Sequence, residues 1–135
     1  MRTLRWLMLL PAAAATFYLA IAATIATHYL VEQHLCPAAD FDRGICSNRT
    51  LGVILELIKH GGAALTVIAV AGVAVIVAPS HERPVLWAAL AVVLALAAYF
   101  AYAGTAWSLF VAALAGGVLA ATAIPRWLRL RAPTA

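Results

Sequence analysis

Four long runs of apolar residues alternate with polar segments along this chain. Each run holds about 20 residues that are mostly apolar, the length a helix needs to cross a bilayer. The predicted spans cover about residues 6–27, 57–78, 85–102 and 106–124. One polar segment, about residues 28–50, is long, and the remaining connections are short turns. The pattern predicts one domain over residues 1–135, an all-α, four-helix integral membrane bundle.

The composition excludes the soluble classes of protein. Apolar residues make up 66% of the chain and charged residues 10%, whereas soluble domains are roughly half apolar and a quarter charged. The net charge of +4 comes from basic residues clustered at the ends of the apolar runs. Because these form no basic stripe with interleaved aromatic residues, we expect no nucleic-acid partner.

The basic residues predict the orientation of the chain in the membrane. Loops on the cytoplasmic side carry an excess of Lys and Arg. The side that holds both termini would carry Arg2, Arg5, Arg83, Arg126, Arg129 and Arg131, and the other side Arg43, Arg49 and Lys59. The termini are therefore predicted inside and the long loop outside. The Ala-rich and Arg-rich composition suggests a bacterial source, so we expect the bacterial cytoplasmic (inner) membrane.

Two cysteines, Cys36 and Cys46, lie in the long loop. On the extracytoplasmic side thiols oxidise, so the pair predicts a structural disulfide. Closing a loop this short stabilises it by about 3 kcal/mol in the chain-entropy model. The alternative is redox catalysis, as in four-helix membrane oxidoreductases that form disulfides or reduce quinones. Those proteins use a closely spaced Cys-x-x-Cys pair, which this sequence lacks.

Four polar residues border the loop and form the candidate metal cluster. His28 and Glu32 are four residues apart, as are Glu56 and His60, so each pair shares a helix face. A symmetric antiparallel hairpin would set His28 level with His60 and Glu32 level with Glu56. Zinc or iron would suit such a set, and a haem held by the two histidines is a further alternative. Charged residues where helices meet water need no such purpose, so no cofactor is our main expectation.

A candidate ion or proton pathway overlaps this cluster. Glu56, Lys59 and His60 would lie inside the bilayer if the second span enters it early, and intramembrane ionisable residues mark pathways for ions and protons. Glu56 would accept a proton or cation, and His60 would relay it near neutral pH. Against this hypothesis, the other three spans contain no ionisable side chain except tyrosines.

The ends of the helices also carry sequence signals. Ser47 or Asn48 is predicted to cap the second helix, because a short side-chain acceptor there satisfies the first free backbone N–H groups. Pro84 is predicted at the first position of the third helix, where its missing donor costs nothing.

The polar loop and the featureless Ala, Val and Leu spans favour a non-enzymatic accessory or structural subunit of a membrane complex. Its expected partners are the lipid bilayer and either another membrane protein or further copies of itself. The alternatives are a small transporter or ion-conducting oligomer using Glu56, Lys59 and His60, and a metal- or haem-dependent redox protein using His28, Glu32, Glu56 and His60. No catalytic residue is assigned.

Overall fold

The computed structural model of the chain describes residues 2–42, 45–78, 82–104 and 106–131. Four helices account for most of these residues: α1 (Arg2–Leu35), α2 (Arg49–Val77), α3 (Glu82–Gly104) and α4 (Trp107–Arg131). All four are long and apolar enough to cross a membrane. The predicted all-α class is therefore confirmed, and the fold is consistent with a multi-pass membrane protein.

Helix α2 is the centre of the bundle. It packs against α1, α3 and α4, while α3 and α4 also pack against each other and α1 packs chiefly against α2. The largest core cluster joins the last three helices through Val70 of α2, Leu86 and Leu90 of α3, and Ala120 of α4. In a membrane the surrounding lipid is as apolar as this core. The association of the helices therefore depends on close packing.

The helices extend beyond the predicted spans. Helix α1 has 34 residues and is therefore about 50 Å long at 1.5 Å per residue, whereas the hydrocarbon core of a bilayer is about 30 Å thick. Helix α4 continues through Pro125 to Arg131. Proline removes one backbone hydrogen bond and usually kinks a helix, but here it does not end the helix. Helical residues thus reach well past the apolar core at both ends.

The predicted cap of α2 is confirmed at Asn48. Its side-chain oxygen accepts hydrogen bonds from the backbone N–H groups of Thr50 and Leu51, both at 3.1 Å. Pro84 lies in the first turn of α3, two residues after the start at Glu82. Its missing N–H is still without cost, because the first turn of a helix has no partners for its donors. The rest of the predicted turn, residues 79–81, lies outside the described residues.

Two glycines allow close contact between neighbouring helices. A Cβ atom on Gly62 of α2 would lie 2.9 Å from Cβ of Thr24 on α1, and one on Gly116 of α4 would lie 2.7 Å from Cα of Ala64 on α2. Both distances are well below the optimal carbon separation of about 3.5–4.0 Å. Small residues are what allow helices in membranes to approach this closely.

The segment between α1 and α2 folds into a small hairpin. A 3₁₀ turn (Ala38–Asp40) leads into two short strands, β1 (Phe41–Asp42) and β2 (Ile45–Cys46). They pair antiparallel, with Phe41 opposite Cys46 and Asp42 opposite Ile45. We call the end of the bundle that carries this hairpin the loop end.

Candidate functional site

The predicted disulfide is confirmed. Cys36 follows the last residue of α1, Cys46 ends β2, and their Cα atoms are 6.0 Å apart. A separation of this size is typical of disulfides. The bond ties the end of α1 to the return strand, so the hairpin is fastened to the helix from which it leaves.

Glu32 strengthens this attachment. One oxygen of its carboxylate accepts a hydrogen bond from the backbone N–H of Cys46 at 3.2 Å. The other oxygen lies 3.9 Å from Nδ1 of His28, one turn back on α1. The Glu32 side chain is only 18% exposed, so its carboxylate is positioned as a link between helix and hairpin. A hydrogen bond to a charged acceptor is stronger than one between neutral groups.

Asp40 links the hairpin to the start of α2. Its backbone carbonyl accepts hydrogen bonds from the N–H and the hydroxyl of Ser47, at 2.9 and 3.0 Å. Its carboxylate accepts one from Nδ2 of Asn48 at 2.8 Å. Asn48 therefore caps α2 with its oxygen and holds Asp40 with its nitrogen. The cap was predicted from the sequence, but the second contact left no signal there, because it depends on how the hairpin folds.

Glu56, Lys59 and His60 form a second polar group, entirely on α2. Lys59 makes an ion pair with Glu56. Nδ1 of His60 donates a hydrogen bond to the Glu56 backbone carbonyl at 2.6 Å and lies 3.7 Å from the carboxylate. These are contacts between residues three and four apart on one helix face. The Glu56 side chain is 57% exposed, so the group faces outward from the bundle.

The two halves of the candidate metal cluster are offset along the hairpin. Setting His28 level with His60 would also set Thr24 opposite Ala64. Thr24 instead contacts Gly62, and Ala64 contacts Gly116 of α4. Within the described ranges, no three His, Cys, Asp or Glu side chains come together as a metal site would require. The close contacts among the four residues are those within each helix, His28 with Glu32 and Glu56 with His60.

Threonine hydroxyls within the helices donate hydrogen bonds to backbone carbonyls of the same helix. Thr16, Thr24 and Thr66 each donate to the carbonyl four residues earlier, at 2.7–2.9 Å. Thr27 and Thr122 do the same. A hydroxyl bonded in this way is satisfied and contributes little to a polar lining.

An apolar cavity of about 250 Å³ lies among all four helices. Its wall includes Phe17 of α1, Thr66 of α2, Phe100 of α3 and Phe110 of α4, with alanines between them. Among the described residues, Thr66 is the one polar wall residue, and its hydroxyl already donates a hydrogen bond to the Gly62 carbonyl. Sequence reasoning could not find this cavity, because most of its wall residues are Ala, Val, Leu or Ile, and these residues fill the spans generally.

No known protein family, curated protein or solved structure matches this chain.

Proposed function

We propose that this chain is a non-enzymatic, multi-pass accessory subunit of a membrane complex, and that α1 is the helix that packs against the partner. The observation that carries the proposal is the position of α1. Between Leu4 and Leu35 none of its side chains is buried, although α1 is the longest helix.

The free face of α1 supports this role. Leu7, Leu10, Tyr18 and Leu19 are each about 70% exposed or more. Since α1 packs chiefly against α2, its opposite face is available to another transmembrane helix. Association inside a membrane depends on such packing surfaces and not on removal of apolar area from water. The partner is either another membrane protein or a second copy of this chain.

The hairpin supports a role in presentation or docking. Its disulfide, the hydrogen bond from the Cys46 N–H to Glu32 and the contacts of Asp40 fasten it to the end of α1 and the start of α2. A segment fastened at both ends loses little conformational entropy when a partner binds it, which favours association. Glu32, a member of the candidate metal cluster, and Asp40 both make their hydrogen bonds within this scaffold.

We also propose the membrane orientation and location. The excess of basic residues at the end that holds both termini favours the cytoplasm for that end. The loop end, with its disulfide, would then face the oxidising side. In a bacterial cell this corresponds to the cytoplasmic (inner) membrane with the hairpin in the periplasm or outside.

The test is purification of the tagged full chain from native membranes in mild detergent, followed by mass spectrometry of intact complexes and metal analysis. We expect a stoichiometric partner protein or a defined homo-oligomer. Leu19→Ala on the free face of α1 should weaken that complex. Leu119→Ala, at an exposed leucine of α4, is the matched control and should leave it intact.

Other outcomes would assign other functions. A lone chain with stoichiometric zinc, iron or haem would contradict the subunit proposal and direct attention to His28, Glu32, Glu56 and His60. A lone oligomer that conducts ions after reconstitution, and loses conduction on Glu56→Gln, would establish the transporter alternative. If Leu19→Ala and Leu119→Ala weakened the complex equally, the contact with the partner would not be specific to α1.

A further inference from the structure

A smaller groove of about 180 Å³ lies beside the apolar cavity, between α1, α2 and the start of α4. The two share Ile21, Ala63, Thr66 and Leu109 as wall residues. Because these residues line both spaces, the spaces adjoin. These two adjoining apolar spaces lie on the loop-end half of the bundle, and together we call them the lipid groove.

Lys59 lies at the outer end of the lipid groove. It is a wall residue of the smaller space and stands one helical turn before Ala63, on the same face of α2. Its side chain is 41% exposed. The groove thus begins among apolar groups deep in the bundle and ends beside a cation near the level where the apolar core of α2 gives way to polar residues.

This arrangement matches an anionic phospholipid of the bilayer. The four helices are long and apolar enough to cross a membrane, so the apolar material available to fill the groove is the hydrocarbon of the bilayer. An apolar cavity of about 150 Å³ takes a molecule the size of benzene, and pockets for drug-sized ligands start at about 300 Å³. A space of 250 Å³ therefore suits part of one acyl chain, with the lipid phosphate beside Lys59.

We propose that the lipid groove binds one anionic phospholipid from the leaflet at the loop end, with an acyl chain between Phe17 and Phe110 and the phosphate at Lys59. Glu56 opposes this binding, because it holds Lys59 in an ion pair and would repel a phosphate. The two residues should therefore affect the lipid preference in opposite directions. This proposal concerns the chain alone and does not depend on a protein partner.

The experiment is native mass spectrometry of the purified full chain titrated with phosphatidylglycerol or with phosphatidylcholine of identical acyl chains. Wild type should prefer phosphatidylglycerol. Lys59→Gln should reduce the preference by about fivefold, the effect of about 1 kcal/mol for one cation at an anionic membrane surface. Glu56→Gln should increase it, because Lys59 is then free. Arg49→Gln, an exposed cation ten residues earlier on α2, is the matched control and should not change it.

A second pair of variants tests the acyl-chain part. Ala97 of α3 lines the cavity, whereas Ala95 is exposed on the same helix. Ala97→Leu should lower binding of both lipids severalfold by filling the cavity, and Ala95→Leu should not. Any of three results would overturn the proposal. These are an unchanged lipid preference in Lys59→Gln, a lower preference in Glu56→Gln, and equal effects of the two alanine variants. The lipids detected would then be nonspecific bilayer lipids around the bundle.

Discussion

Gly116 of α4 lies directly against the backbone of Ala64 on α2. A Cβ atom at position 116 would come within 2.7 Å of the Ala64 Cα and nearer still to its carbonyl oxygen. The obstacle is backbone, which cannot rotate away as the end of a side chain can. This contact therefore fixes how closely α2 and α4 approach each other. It thereby also affects the packing of the core that these helices share with α3.

Gly116→Ala should destabilise the bundle by about 1–3 kcal/mol, the usual cost of overpacking a tight core. The added methyl group forces α2 and α4 apart and loosens their packing. Thermal unfolding of the purified chain in detergent measures the effect. Gly72→Ala is the matched control, since a Cβ there meets nothing within 4 Å and alanine favours helix. It should be neutral or stabilising, and equal losses in both variants would rule out a steric cause.

The contact between Gly62 and Thr24 should respond differently, because here the obstacle is a side chain. Gly62→Ala alone should destabilise the α1–α2 pair. Adding Thr24→Ala should restore part of the loss, since it removes the two outer atoms that the new methyl meets and leaves Cβ at 2.9 Å. A double-mutant cycle on thermal stability measures this coupling. Strictly additive losses would mean that the two side chains do not meet.

The elements that the sequence predicted are those with a local signal. Apolar length gave the four helices, the cysteine pair gave the disulfide, and the position of Asn48 gave the cap of α2. Helix register left no such signal. Small residues are so frequent in the spans that neither Gly62 nor Gly116 stood out as a contact. The predicted level pairing of His28 with His60 rested on symmetry, and the Thr24–Gly62 contact offsets it.

The contacts of the candidate site also divide into those with a local sequence signal and those that depend on the fold. Spacing predicted the pairs within one helix, His28 with Glu32 and Glu56 with His60, and both pairs are present. The bond from the Cys46 backbone to Glu32 joins residues in different elements. It depends on the fold of the hairpin, which no periodicity encodes. The lipid groove is hidden for a related reason, since its shape comes from four helices together.

The two roles of Asn48 can be separated by substitution. Asn48→Ala removes the cap, which should cost about 1 kcal/mol, and the amides of Thr50 and Leu51 should exchange faster with deuterium. Asn48→Asp keeps an acceptor for these amides but replaces the donor to Asp40 with a second carboxylate. It should leave Thr50 and Leu51 protected while the Ser47 amide exchanges faster. Hydrogen exchange read by mass spectrometry distinguishes the two. Equal exposure of Thr50 in both variants would contradict the assignment.

The disulfide provides the test of orientation. After mild reduction, a membrane-impermeant maleimide should label Cys36 and Cys46 in intact spheroplasts, because the hairpin is proposed to face outward. In sealed inside-out vesicles the same thiols should stay unlabelled until detergent is added. The control is Ser80→Cys in a chain with Cys36→Ser and Cys46→Ser. Position 80 falls between α2 and α3, in the connection that the sequence predicts on the side of the termini, so it should give the opposite pattern. If the reagent instead reached the hairpin cysteines in sealed inside-out vesicles and Ser80→Cys in intact spheroplasts, the six basic residues predicted on the terminal side would lie outside, and the charge rule would not describe this chain.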